Sequence, residues 1–273
     1  MKRLLLALIF GAVASLAQAG GHASIMDPVP GHDGVSYFEL LRQVIPDLAA
    51  TADVASGHLP EGIGHLEGDE AVGEMPEIAT ISAVEAVSVR ADGQPMLWVL
   101  ADLGAGGNVG NYTLLAVFDE QARLLDAVEV DTDRLTGLVG TPFAISPGDE
   151  AMQVGSEHHN SSQSYQSRML AFLDAGKLKR IDTVFAFGTR GCDLWQTEEL
   201  AVHATESDAA YWTITATVTR NQAPAGPDCT DPADAAWQQR DFTAIYAWDA
   251  AAQHFVAGRR ELDDLAELDE ALF

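Results

Sequence analysis

Short apolar runs separated by turn residues dominate the chain from residue 81 onward. There are about eleven such runs, among them residues 96–103, 112–118 and 168–173. Helical patterns do not alternate with them, which argues against a parallel α/β arrangement. The pattern predicts a mainly β protein, in which residues 81–273 form an antiparallel two-sheet (sandwich-like) domain.

Helical spacing of apolar residues occurs only near the two ends of the chain. Ser36 and Glu39 form a capping-box pattern, which predicts a short N-terminal helix that ends near Ile45, before Pro46. A short C-terminal helix is predicted within residues 259–273, because four leucines recur there on one helical face. The four are Leu262, Leu265, Leu268 and Leu272.

Glycine and proline recur between residues 51 and 80, which predicts that this stretch is mostly loop. We therefore expect residues 20–80 to form an N-terminal arm that contains the short helix and this loop. The antiparallel β domain, with its C-terminal helix, then extends over residues 81–273.

Three hairpins are predicted to share one design, in which an apolar strand ends in aspartate and a short turn leads into a returning strand. The aspartates are Asp119, Asp174 and Asp249. An aspartate at this position can accept hydrogen bonds from backbone two residues onward and so start the turn. The similarity is explained either by an internal repeat, as in a propeller blade, or by convergence of separate hairpins on the same turn chemistry.

Residues 1–19 have the organisation of a signal peptide. Lys2 and Arg3 precede an apolar stretch over residues 4–16, and an Ala-x-Ala cleavage pattern follows at residues 17–19. We expect a mature chain that begins at Gly20, does not insert into a membrane, and is soluble in a bacterial periplasm or secreted.

The chain contains two cysteines, Cys192 and Cys229. An even number of cysteines in an exported protein predicts a disulfide bond. Neither cysteine belongs to a Cys-x-x-C motif, so the bond is expected to stabilise the fold rather than to act in redox chemistry.

The net charge of −26 at pH 7 bounds the partners of this protein. Phosphate groups would be repelled, so neither nucleic acid nor an anionic membrane surface is an expected partner. The charge is compatible with a cationic partner, with a divalent metal, or with an acidic surface that serves solubility alone.

The main candidate site is the polar segment 157–165. Its candidate ligand-binding residues are Glu157, His158, His159, Asn160, Gln163 and Tyr165. Amide groups and an aromatic ring suit a small molecule, a glycan or a protein partner. The simpler interpretation is a structural loop whose side chains form hydrogen bonds with local backbone.

A metal site is the third interpretation of this segment. In an extended strand Glu157 and His159 share one face while His158 points to the other. His203, in a later strand-like run, is a candidate third ligand. Two imidazoles and a carboxylate would suit a divalent metal such as zinc or copper. No other cofactor is expected.

The remaining patterns are weaker. The glycine run at residues 104–110 lacks the spacing of a phosphate-binding loop and predicts a hairpin loop. Five tryptophans suit core packing, with a sugar-binding platform as the alternative.

Two functional hypotheses therefore stay open. The first is an exported, soluble, non-catalytic binding or interaction module that uses the loops around residues 157–165. The second is a metal-dependent or other hydrolase in which His158 or His159 acts with a carboxylate. The chain has no Gly-x-Ser-x-Gly or His-Glu-x-x-His motif, which favours the binding module.

Overall fold

The computed structural model describes residues 22–66, 76–105, 111–132, 135–233 and 236–272. The predicted signal peptide and most of the glycine run at 104–110 lie outside these ranges. Antiparallel sheets dominate, as the hydrophobic pattern predicts. No helix within the described ranges is long and apolar enough to cross a membrane. The first elements are β1 (His22–Ser24), α1 (Tyr37–Leu41), β2 (Ala49–Thr51), β3 (Val54–His58) and β4 (Ile78–Ile81).

The predicted capping box starts α1. Ser36 Oγ accepts a hydrogen bond from the Glu39 backbone N–H at 3.3 Å, and Glu39 Oε2 accepts one from the Ser36 backbone N–H at 2.7 Å. The helix has only five residues and ends at Leu41, which is four residues before the predicted end near Ile45. Tight turns continue from there and bury Leu48.

Strands β2, β3 and β4 form an antiparallel sheet that the sequence analysis does not predict. Strand β3 and most of β4 lie within residues 51–80, for which mostly loop is predicted. Tertiary packing rather than strand propensity stabilises them, since Ala55 and Ala79 are fully buried. Gly57 marks a close approach of the backbone, because a Cβ there would lie 2.8 Å from Ile45 Cγ2.

A five-stranded antiparallel sheet follows. Its strands are β5 (Ala83–Ala91), β6 (Gln94–Ala105), β7 (Asn111–Phe118) and β8 (Leu124–Thr132), with β1 paired to the free edge of β5. The sheet is buried on both faces. Val99 and Ala101 pack towards the N-terminal segment, whereas Trp98 and Leu100 pack towards the next sheet. Burial on both faces explains why these strands are continuous apolar runs.

The second large sheet has eight strands in chain order. They are β9 (Leu135–Ala144), β10 (Glu150–His159), β11 (Gln163–Asp174), β12 (Lys177–Arg190), β13 (Leu194–Thr205), β14 (Thr213–Pro224), β15 (Gln238–Asp249) and β16 (His254–Arg260), and α2 (Glu261–Glu270) follows.

The eight-stranded sheet is divided at the junction between β12 and β13. These two strands pair only at Thr189–Gln196 and Arg190–Trp195. Beyond that point β13–β16 fold over β9–β12, and a separate core forms between the two halves. Strand β11 is therefore buried on both faces, with Met169 facing the five-stranded sheet and Leu170 facing the core between the halves.

All three predicted aspartate hairpins are present. Asp119 and Asp249 each accept two backbone N–H hydrogen bonds from the turn that follows, as predicted. Asp174 differs, because its carboxylate binds Lys179 Nζ and the Tyr211 hydroxyl. Two residues with positive φ close its turn instead.

The predicted C-terminal helix is present, and it packs through part of the predicted leucine face together with Asp269. Leu265 and Asp269 are buried, but Leu268 and Leu272 are 42% and 36% exposed. Of the four leucines predicted on one helical face, Leu262 and Leu265 therefore pack against the core and the last two do not. Gln196 donates a hydrogen bond to Asp269 from beneath the helix, and this contact turns the Asp269 side inward.

Candidate functional site

Most of the polar segment 157–165 belongs to strands rather than to a loop. Strand β10 continues through His159 and β11 begins at Gln163, so only residues 160–162 form the turn. The prediction of a nine-residue loop was wrong because cross-strand pairing extends to the tip, with Glu157 opposite Gln166 and His158 opposite Tyr165.

The turn itself is held by Asn160. Its Oδ1 accepts hydrogen bonds from the backbone N–H groups of Ser162 at 3.0 Å and Gln163 at 2.8 Å. Its Nδ2 also donates to Gln163 Oε1 at 3.1 Å. Asn160 and Gln163 were both candidates for ligand contact, and their side chains instead stabilise the hairpin tip.

Glu157 and His159 share a face, as strand alternation predicts. His159 Nε2 lies 3.2 Å from Glu157 Oε2, and Arg168 Nη2 donates to Glu157 Oε1 at 2.9 Å. The hydrogen bond from Arg168, together with that from His159, holds the pKa of Glu157 below its ordinary value. Glu157 is therefore a carboxylate at neutral pH.

His158 and Tyr165 oppose each other on the other face of the hairpin. The Tyr165 ring stacks on Phe185 with centroids 5.5 Å apart. The imidazole of His159 therefore lies beside the carboxylate of Glu157, whereas the imidazole of His158 lies on the opposite face.

The predicted metal ligands do not converge. His203 is exposed on β13, opposite Thr215 of β14. In the part of the chain that the structure describes, no three His, Cys, Asp or Glu side chains are close enough to hold a metal ion. Glu157 and His159 therefore remain a pair without the third ligand.

Glu157 and Arg168 border a cleft of about 620 Å³ between β5 and the β9–β11 strands. Glu85, which is nearly buried, crosses from β5 and accepts a hydrogen bond from the Leu138 backbone N–H at 2.7 Å. Gly137 gives Glu85 room, because a Cβ there would lie 3.0 Å from Glu85 Oε1.

Gly155 has the same role for Arg168. A Cβ at position 155 would collide with Arg168 Nη1 and would lie 2.6 Å from Val139 Cγ2. The guanidinium therefore lies directly over the backbone of β10. In this position it also donates to Gln166 Oε1 at 3.2 Å.

The cleft is acidic and lined with hydroxyl groups. Its described lining residues include three carboxylates, those of Glu85, Asp102 and Glu157, one guanidinium, that of Arg168, and one imidazole, that of His22, whose Nε2 lies 3.4 Å from Glu85 Oε1. Its hydroxyl groups belong to Thr80, Ser82, Thr113 and Thr136.

A buried polar cluster beneath α2 was missed by the sequence analysis. Gln196 is fully buried and donates both to Glu198 Oε1 at 3.1 Å and to Asp269 Oδ1 at 2.9 Å. Arg220 Nη1 lies 3.7 Å from Asp269 Oδ1. Burial, followed by the proximity of Asp269, raises the pKa of Glu198 to about 7. Burial also raises the pKa of Asp269, so the two carboxyl groups share a proton, which Glu198 holds.

The sequence contains a signal for this cluster. Every second residue of β13 points inward, and the apolar residues Leu200 and Val202 continue in this row to Glu198 and Gln196. Arg220 likewise continues the inward row of β14. Polar residues that extend an apolar stripe are therefore candidates for a buried network.

A second cleft, of about 330 Å³, lies on the other side of β13. Trp195, Trp237 and Asn221 are among its lining residues. The predicted disulfide between Cys192 and Cys229 is present, and Cys192 follows the lining residue Arg190 by two positions. Three of the five tryptophans, Trp195, Trp212 and Trp237, lie outside the core clusters, and Trp195 and Trp237 line this recess of the surface.

Comparisons with protein-family models, with curated proteins and with solved structures give no match to this chain.

Proposed function

We propose that the protein is a binding module that takes a small organic cation, such as a diamine or a cationic amino acid, into the cleft beside Glu157 and Arg168. The observation that carries this proposal is the charge of the cleft, in which three carboxylates face one guanidinium. The candidate site at residues 157–165 narrows in this proposal to Glu157, with Glu85 and Asp102 added from the facing sheet.

The size of the cleft supports a small ligand. Sites for small molecules have volumes of roughly 300–1,000 Å³, and this cleft of about 620 Å³ falls within that range. Hydroxyl groups along the walls can accept hydrogen bonds from an ammonium group.

Electrostatics supports a positive charge on the ligand. Arg168 is already compensated by Glu157, so the remaining carboxylates leave the cleft with a negative formal charge. An ammonium group 4 Å from one carboxylate gains about 4 kcal/mol at an effective dielectric constant of about 20, before desolvation is subtracted. The net charge of −26 attracts the same ligands over longer distances.

Location outside the cytoplasm belongs to the same proposal. The disulfide between Cys192 and Cys229 is typical of an oxidising compartment. The signal-like residues 1–19 point to export into a bacterial periplasm or medium.

Calorimetric titration of the chain without residues 1–19 tests the proposal. The ligands are putrescine, spermidine, lysine and arginine, with neutral and anionic compounds of similar size as references. We expect the cations to bind and the references not to bind. Glu157→Gln should weaken binding at least tenfold, because it removes a carboxylate and leaves the charge of Arg168 uncompensated.

Glu199→Gln is the matched control, since Glu199 is an exposed carboxylate on β13 that does not line the cleft. This variant should bind as the wild type does. Equal binding by both variants, or failure of all four cations to bind, would refute the proposal.

A further inference from the structure

The cleft beside Trp195 is built from adjacent strands with a fixed register. Arg190 of β12 is opposite Trp195, and Thr197 of β13 is opposite Asn221 of β14. Alternation places all four on the outer face of the sheet. Trp237, immediately before β15, lines the same cleft of about 330 Å³.

Two polar side chains of this cleft, those of Thr197 and Asn221, are available to a ligand. Within the described ranges, neither Thr197 nor Asn221 makes a side-chain hydrogen bond, although Asn221 is partly buried. A carboxamide and a hydroxyl group beside indole rings can bind ring hydroxyls of a sugar, while the indole faces pack against its C–H groups.

Arg190 gives this cleft a positive charge. It is the one charged side chain among the described lining residues, and it makes no ion pair in the described part of this acidic chain. Its guanidinium lies over the Trp195 ring, 5.3 Å from the centroid, and its backbone N–H donates to Ser162 O at 2.8 Å. These contacts orient a planar donor that matches a carboxylate.

The disulfide joins two chain segments that lead to this cleft. Cys192 follows Arg190 by two residues, and its partner Cys229 lies in the segment between Asn221 and Trp237. The bond therefore ties the strand that carries Arg190 to the connection that leads to Trp237.

From these four observations we propose that this cleft is a second binding site, specific for a pyranose sugar that carries a carboxylate, that is, a hexuronic acid. The indoles of Trp195 and Trp237 hold the ring, Asn221 and Thr197 bind its hydroxyl groups, and Arg190 binds its carboxylate.

Titration followed by tryptophan fluorescence and by calorimetry tests the site with matched sugars. The probes are the methyl glycosides of glucuronic, galacturonic and mannuronic acid, each paired with the neutral hexoside that has a hydroxymethyl group instead. We expect at least one uronide to bind roughly tenfold or more tightly than its neutral partner. Arg190→Gln should abolish this ratio, and Trp237→Ala should weaken binding of both members of the pair.

Arg240→Gln is the matched control, because Arg240 is exposed and lies over the Phe242 ring at 4.3 Å without lining the cleft. It should keep the preference for the uronide. Equal affinities within every pair, an undiminished ratio in Arg190→Gln, or no binding of any uronide would overturn the proposal. Arg190→Gln should leave diamine binding unchanged, and Glu157→Gln should leave uronide binding unchanged, so the two sites fail or succeed separately.

Discussion

The shared proton of Glu198 and Asp269 predicts that stability falls as pH rises from 5 to 8. Glu198 has a pKa of about 7 in the folded protein, against an ordinary value of 4.5. Between these two values the unfolded chain has released the proton while the folded chain still holds it. The folded state therefore binds more protons, and its stability decreases across this interval. Glu198→Gln removes the titration but keeps an acceptor for the Phe187 backbone N–H, which now bonds to Glu198 Oε2 at 2.9 Å.

The size of the effect follows from the pKa values. A carboxyl whose pKa changes from 4.5 to about 7 on folding loses at most about 3 kcal/mol of stability over that interval. Glu198 is only partly buried, so solvent screening lowers the expected loss to about 2 kcal/mol. Glu198→Gln should therefore match the wild type near pH 5 and exceed its stability by about 2 kcal/mol at pH 8.

Urea unfolding at pH 5, 6, 7 and 8, at constant ionic strength and monitored by tryptophan fluorescence, measures this difference. Effects of titrating groups that do not interact with Glu198 cancel when the variant is subtracted from the wild type, so the difference reports Glu198 and its partner Asp269. The control is Glu199→Gln, which changes the exposed neighbour on the same strand and should show the wild-type dependence on pH. A difference between Glu198→Gln and the wild type that is constant with pH, or that is larger at pH 5 than at pH 8, would refute the reasoning.

Two further predictions concern stability. Reduction of the bond between Cys192 and Cys229, which lie 37 residues apart, should lower the free energy of unfolding by about 4 kcal/mol. Urea unfolding with and without reductant measures this, and free thiols in the untreated protein would contradict it. Gly155→Ala should destabilise the protein by about 1–3 kcal/mol and weaken binding of cations, because its Cβ displaces Arg168 from Glu157. Wild-type thermal stability and affinity in this variant would show that the guanidinium does not need the glycine.

The strands and hairpins of this fold were predictable because they depend on local patterns. Asp119 and Asp249 start turns with their own side chains, and Ser36 caps its helix, so each signal lies within a few residues. The sheet of β2–β4 was not predictable in this way. Its small residues, such as Gly57 and Ala79, acquire strand structure from the surfaces that they contact.

The candidate sites were likewise predictable only where the signal lies within a few residues. Alternation placed Glu157 and His159 on one face, and the structure agrees. Local sequence could not predict that Glu85 lines the same cleft as Glu157, because Glu85 reaches the cleft from a different sheet. The contact of Gln196 with Asp269 spans 73 residues, and neither local sequence predicts its partner.

The chain-order arrangement of β5–β8 and of β9–β16 has a consequence for how the protein folds. Nearly every strand pairs with its immediate successor, so most of both large sheets can form by the closure of short hairpins, which is fast. The pairing of β1 with β5 is different, since it closes a loop of roughly 60 residues. The N-terminal segment also covers an apolar face of the five-stranded sheet. We therefore expect the two meanders to form first and the N-terminal segment to dock late, which leaves that apolar face open to solvent until the last step of folding.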